Sequence, residues 1–191
     1  MQQLQELRKA IENYFPIDEE AWSLLEPTLE ITKIKKGSQL VKEGETEDSI
    51  YFLVSGITRN FFIRNDKEYT IEFHFQGEFV TGYYSIITGE PSIITVETLT
   101  DTEVVLFPFD IIRSNYLENV KAANFGRIIA EVQYTKRLKK EMDLLSLTAE
   151  ERYSKLLQQR PELVKKISVK HLSSYLGIQP ESLSRIRKSY I

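Results

Sequence analysis

The sequence predicts an α+β chain: a strand-rich N-terminal body, one long helix, and a short pair of helices at the C-terminal end. Three observations carry this. Apolar and polar residues alternate repeatedly between Leu29 and Phe107, with glycines breaking the runs. From Asp110 to Leu147 the period becomes helical without a single proline. From Ser168 to Lys188 two amphipathic segments flank Gly177. A change of period from two residues to three or four separates strand from helix.

Composition narrows the chemistry. The 191 residues are 41% hydrophobic and 28% charged, as in an ordinary folded protein. Cysteine is absent, which removes disulfides, thiolate nucleophiles and cysteine-bound metals or clusters. The two histidines, His74 and His171, fall in different parts of the chain. A multi-histidine metal centre is therefore not expected, nor is any other cofactor. No run approaches the ~20 apolar residues that span a bilayer. The N-terminus lacks the basic-then-apolar order of a secretory signal. A cytoplasmic address with no membrane partner follows as the expectation. The net charge of −3 is uneven: from Tyr134 onward there are 13 Lys/Arg against 6 Asp/Glu. An acidic body with a basic tail suits a sensor joined to a nucleic-acid reader, though a solvated helix would also carry such charge.

The elements follow in order. Leu4, Leu7, Ile11 and Tyr14 repeat at helical spacing until Pro16. Asp18 precedes an acidic first turn, Glu19-Glu20, that suits a helix dipole. Strands are expected at 29–34, 39–41, 50–54, 58–63, 69–75, 93–98 and 103–107. Such short, evenly spaced strands close into a sandwich or a roll. In the next segment Ile128, Val132, Thr135, Leu138, Met142 and Leu145 form an apolar-leaning stripe. A helix of ~30 residues is ~45 Å long, enough to pair with a twin in a dimer. Packing of that helix on the strand body is the alternative. Thr148-Ala149-Glu150-Glu151 has capping-box spacing, and the helix it starts should end before Pro161.

The last segment is the most specific. Ser168 can cap a helix through Leu176, Gly177 suits the left-handed turn that ends it, and Pro180 favours the first position of the next helix. Leu172, Leu176 and Ile178 would face Leu183 and Ile186, with small Ser173 where the helices approach. This is the pattern of a helix-turn-helix. The second helix then presents Gln179, Glu181, Ser182, Ser184, Arg185 and Lys188 to a duplex. Arg185 is the candidate for a bidentate contact to guanine, and Glu181 for cytosine N4. Ser182, Ser184 and Lys188 suit phosphate or mixed contacts, and Arg187 covers the neighbouring helix.

Assembled, these pieces resemble the CRP/FNR family of bacterial regulators over nearly the whole chain. The resemblance lies in Lys36-Gly37-Ser38 to Gly44-Glu45, in Asp48 to Gly56, in Gly77-Glu78-Phe79, and in Gln179 to Lys188. It implies a double-stranded β-helix (jelly-roll) sensor over 1–109, a dimerisation helix over 110–147 and a helix-turn-helix domain over 148–191. It further implies a homodimer on a palindromic DNA operator, under an effector, with RNA polymerase as a further partner. Gly77, Glu78, Phe79, Ser92 and Ile93 are the ligand-site candidates by this resemblance.

Two departures qualify it. Cyclic-nucleotide binders of the family carry an arginine for the cyclic phosphate, but residues 79–109 contain neither Arg nor Lys. A buried phosphate lacking that charged partner loses roughly 1.5–3 kcal/mol. The effector is thus expected to be something other than cyclic AMP, with Tyr83-Tyr84-Ser85-Ile86-Ile87 lining a ligand or filling the body. The family's C-terminal wing is also expected to be absent, leaving Lys165, Lys166 and Lys170 to supplement phosphate contacts. The alternatives are a cyclic AMP- or cyclic GMP-responsive regulator reaching phosphate through backbone amides, and a cupin-like metalloenzyme. The second would need more than the single histidine, His74, of the strand body, and no enzymatic activity is expected.

Overall fold

The computed structural model describes residues 2–14, 16–110, 113 and 120–190. Helices α1 (Gln2–Glu12) and α2 (Glu19–Leu25) and a 3-10 turn (Glu26–Thr28) come first. Strands β1 (Glu30–Ile34), β2 (Gln39–Val41), β3 (Ser49–Ser55), β4 (Thr58–Arg64), β5 (Lys67–His74) and β6 (Phe79–Val80) follow. A short helix α3 (Tyr83–Thr88) leads to β7 (Thr95–Thr98) and β8 (Thr102–Pro108). The C-terminal part is helical: α4 (Val120–Ser146), α5 (Ala149–Gln159), α6 (Pro161–Lys166), α7 (Val169–Leu176) and α8 (Pro180–Lys188). The chain divides into two compact units, residues 1–62 with 72–130, and residues 63–71 with 131–191.

The strands form two four-stranded sheets, ordered β1-β8-β3-β6 and β2-β7-β4-β5. The pairings β1–β8, β3–β8, β3–β6, β2–β7 and β4–β7 are antiparallel. The pairs β1/β8 and β3/β6 lie in one sheet and β2/β7 and β4/β5 in the other, so nested strand pairs alternate between the sheets, which is the jelly-roll arrangement. This is the α+β, jelly-roll fold expected.

Strands β3 and β8 are buried on both faces. Leu53 and Val104 sit opposite each other, both wholly buried, and so do Phe52 and Val105, at 1% and 0% exposure. Phe52, Val54, Val105 and Phe107 form a core with Leu7, Ile11 and Trp22 of α1 and α2. Asp18 accepts from the Ala21 amide at 2.9 Å and so fixes the start of α2. Between β3 and β4, Gly56 turns at φ +100°, and a Cβ there would lie 2.8 Å from the Thr102 backbone. Only glycine fits that crossing.

Three sequence expectations shift. Strand β7 starts at Thr95 rather than Ile93, because the Ser92 hydroxyl bonds both the carbonyl and the amide of Ile94, in place of a ladder. Tyr83 to Ile87, expected to line a ligand or fill the body, coils with Thr88 into α3, buries Ser85 and Ile86, and ends at left-handed Gly89. Pro161 does not merely close α5 but opens α6 from its first position. The start of the expected dimerisation helix, at 111–112 and 114–119, lies outside the described residues.

The β2-β7-β4-β5 sheet (sheet 2) also contains a buried charge. Arg59, 2% exposed, faces Glu97 across β4 and β7, with 2.7 Å between guanidinium and carboxylate, and its guanidinium stacks 4.1 Å from the Phe61 ring centre. Removing one partner of such a pair strands the other away from water. Glu97→Ala should therefore lower unfolding free energy by about 3 kcal/mol, measured by urea denaturation; a loss under 1 kcal/mol would show the pair to be dispensable.

Candidate nucleic-acid interface

The C-terminal helices are set by local chemistry. Thr148 and Glu151 form a reciprocal capping box at the start of α5. Ser168 caps α7 by accepting from the His171 amide. Gly177 ends α7 at φ +67°, its amide reaching the carbonyls of Ser173 and Ser174. Pro180 then opens α8 behind Gln179, whose carbonyl accepts from the Leu183 amide at 3.1 Å. Leu172, Ser173 and Leu176 of α7 and Leu183 of α8 are buried, as are Leu156, Leu163 and Ile167. Ile178 and Ile186 are half-buried at the edge of this core.

The outer face of α8 is what remains. Gln179, Glu181, Ser184, Arg185 and Lys188 are exposed, and Ser182 is half-exposed. Pro180, Glu181, Ser184, Arg185 and Lys188 line one shallow, open hollow of about 380 Å³. Among the described residues no carboxylate pairs with Arg185 or Lys188. Arg187 instead donates to the Val164 carbonyl at 2.9 Å, tying α8 to α6 as its sequence position suggested. The structure thus brings Glu181, Ser184, Arg185 and Lys188 together on one side of α8, with Gln179 at its N-cap and Ser182 outside the hollow.

The ligand-site candidates in the roll are more dispersed. Gly77 turns at φ +85° and donates to the Leu53 carbonyl. The Glu78 carboxylate accepts from the Phe75 amide at 2.8 Å, within its own turn. Phe79 packs against Phe52 and Phe107, in the core beneath α1 and α2. Ile93 is half-exposed. Ser92 is buried beside Gly82, where a Cβ would meet Ser92 Oγ at 3.3 Å and Val41 at 2.9 Å. Sequence reasoning passed over Gly82, because only a long-range approach marks it.

The electrostatics near Gly82 are acidic. Glu47, whose Cβ would lie 3.4 Å from a side chain there, has its carboxyl pushed up by burial, against amides of Ser49 and Asp48 that pull it down. Burial, with Glu47 and Asp48 nearby, raises the Tyr51 phenol to about 12. Arg59 is committed to Glu97, on the face of sheet 2 opposite the row Val41, Val96 and Asn60.

Comparison with known proteins fits this geometry. Residues 31–119 match the family model of the cyclic nucleotide-binding domain. FixK2 from Bradyrhizobium japonicum superposes with a TM-score of 0.72 at 20% identity, covering 84% of this chain and 83% of its own. A protein from Eubacterium rectale assigned as a transcriptional regulator of the CRP/FNR family gives 0.73 at 18%, covering 93% and 87%. The fold is that of a CRP/FNR regulator. The c-di-GMP-responsive global regulator CLP of Xanthomonas campestris shares this CRP/FNR fold, with a TM-score of 0.64 at 19% identity, covering 86% of this chain and 87% of its own. No curated protein matches the chain by sequence. No described helix is long and apolar enough to cross a membrane, and no three potential metal ligands cluster among the described residues.

A side chain at position 177 would meet Leu144 at 3.3 Å in addition to adopting a left-handed backbone. Gly177→Ala should cost about 1–2 kcal/mol, read as a lower melting temperature; an unchanged melting temperature would mean that the turn relaxes freely.

Proposed function

We propose that this chain is a sequence-specific, DNA-binding transcription regulator of the CRP/FNR type, acting as a homodimer in the cytoplasm. The observation that carries the reading is the α7–turn–α8 pair, whose buried side joins the helical core while its outer side exposes Arg185 and Lys188, neither paired with a carboxylate among the described residues. The N-terminal part of such a second helix enters the major groove and its side chains meet base edges. Arg185 then reads guanine and Glu181 cytosine, while Gln179, Ser182, Ser184 and Lys188 position the helix.

Dimerisation through 110–147 is supported by α4. Leu138, Met142 and Leu145 are 41%, 58% and 81% exposed, and lie three or four residues apart. An apolar stripe left in water at that spacing is a seam awaiting a second copy. Two copies place two reading helices about 34 Å apart on a palindromic site. RNA polymerase is the further partner this arrangement would address.

The effector is a small molecule in the roll, with cyclic AMP disfavoured. The region around Gly82, Ser92 and Glu47 carries acid and no lysine or arginine between residues 79 and 109. An anionic phosphate would meet like charge there. The match of 31–119 to cyclic nucleotide-binding domains favours a second reading, a cyclic nucleotide held by backbone amides alone. Calorimetry with cyclic AMP and cyclic GMP separates the two, and binding below 100 micromolar would establish the second.

Two outcomes test the regulator. Against a duplex selected by the purified protein, Arg185→Ala should weaken specific binding by about 1–3 kcal/mol and relax one base position; an unaltered site preference would remove Arg185 as a reader. Leu138→Glu with Leu145→Glu should halve the mass seen by light scattering, whereas a mass unchanged by both would place the dimer contact elsewhere.

A further inference from the structure

The second unit includes residues 63–71, the tip of the β4–β5 hairpin. Asn65 and Asp66 turn it at φ 51° and 57°, the paired left-handed conformations of a type I′ reversal. Within this unit the tip is bonded to α7. Ser174 Oγ donates to the Glu68 carbonyl and accepts from the Thr70 amide, each at 2.9 Å. One turn earlier Lys170 pairs with the Glu68 carboxylate at 2.8 Å. Lys140 of α4 donates to the Ile71 carbonyl, and its ammonium lies 3.5 Å from the Tyr175 ring centre.

Lys170 and Ser174 are four residues apart and share one face of α7, turned away from Leu172, Ser173 and Leu176 in the core. In a docked helix-turn-helix the first helix crosses the DNA backbone. The hairpin therefore holds part of the leading helix's outward surface, and its Glu68 neutralises a lysine that a phosphate would otherwise meet. A helix side chain that bridges the amide and carbonyl of an extended segment is not required by either element's own ladder.

We propose that the β4–β5 hairpin is an autoinhibitory latch: it occupies the Lys170–Ser174 face of α7 and must release it before the duplex backbone can engage there. The proposal rests on the DNA-binding reading above. Latch and phosphate compete for one surface, so weakening the latch strengthens attraction to DNA.

Ser174→Ala tests this without changing any charge. Full-length protein is titrated by fluorescence anisotropy into a mixed-sequence duplex of about 30 base pairs at about 50 mM salt, where phosphate contacts dominate. Ser174→Ala should bind roughly fivefold tighter, the equivalent of one net hydrogen bond. Ser174→Thr, which restores the hydroxyl, should return to wild-type affinity, and amide exchange across 67–71 should quicken only in the alanine variant. Should that variant misfold by circular dichroism, Glu68→Gln takes its place, compared with the charge-matched Glu20→Gln on α2. Tighter binding by Glu68→Gln than by Glu20→Gln supports the latch. Equal affinities in proteins that all bind DNA overturn the latch and leave the regulator standing. No duplex binding by any of them, wild type included, overturns both.

Discussion

The pairing of β3 with β8 is the constraint on which the sensor body depends. Phe52 and Val105 face the core of α1 and α2, while Leu53 and Val104 face the other way, and all four are essentially removed from water. A register slip of one residue would exchange the two sets and misfit both cores at once. That double burial also explains why these strands read as continuous apolar runs, with Ile50-Tyr51-Phe52-Leu53-Val54 showing no alternation. The short strand β6 is added at the edge of this pair, opposite Tyr51 and Phe52. The turn before it and α3 after it thereby flank a strand paired to this buried core.

The helix-turn-helix was legible because every signal it uses is local. Ser168, Gly177 and Pro180 each act within four residues of their own position, and all three adopt the conformations their chemistry favours. The apolar positions Leu172, Leu176 and Leu183 are likewise buried where helical spacing puts them. What escaped was non-local. Gly82 has no sequence signature, since its closeness to Val41 and Ser92 arises only from the crossing of distant segments. Ser174 reads as an ordinary polar residue on an outer helix face, yet it bonds residues about a hundred positions earlier in the chain. Helix α6 was hidden by Pro161, whose two roles, ending one helix and opening another, look alike in sequence.

Charge separates the two ends of the chain by purpose. In the roll the buried cation Arg59 is neutralised by Glu97, and the carboxylate of Glu47 accepts from the backbone amides of Asp48 and Ser49. Such an interior welcomes uncharged or hydrogen-bond-donating groups more readily than anions. On α8 the arrangement is reversed: Arg185 and Lys188 stand in solvent, where their cost is small and their field extends outward. The roll thus pairs its buried cation with a carboxylate, whereas α8 carries its cations in solvent.

The exposed stripe of α4 has a thermodynamic corollary. Leu138, Met142 and Leu145 stand in water on a single chain, so association through them makes the folded state's free energy depend on how much protein is present. Dilution would then act as a control variable in its own right. Below the association midpoint each copy would meet a duplex with a single helix, and occupancy would fall more steeply than protein concentration.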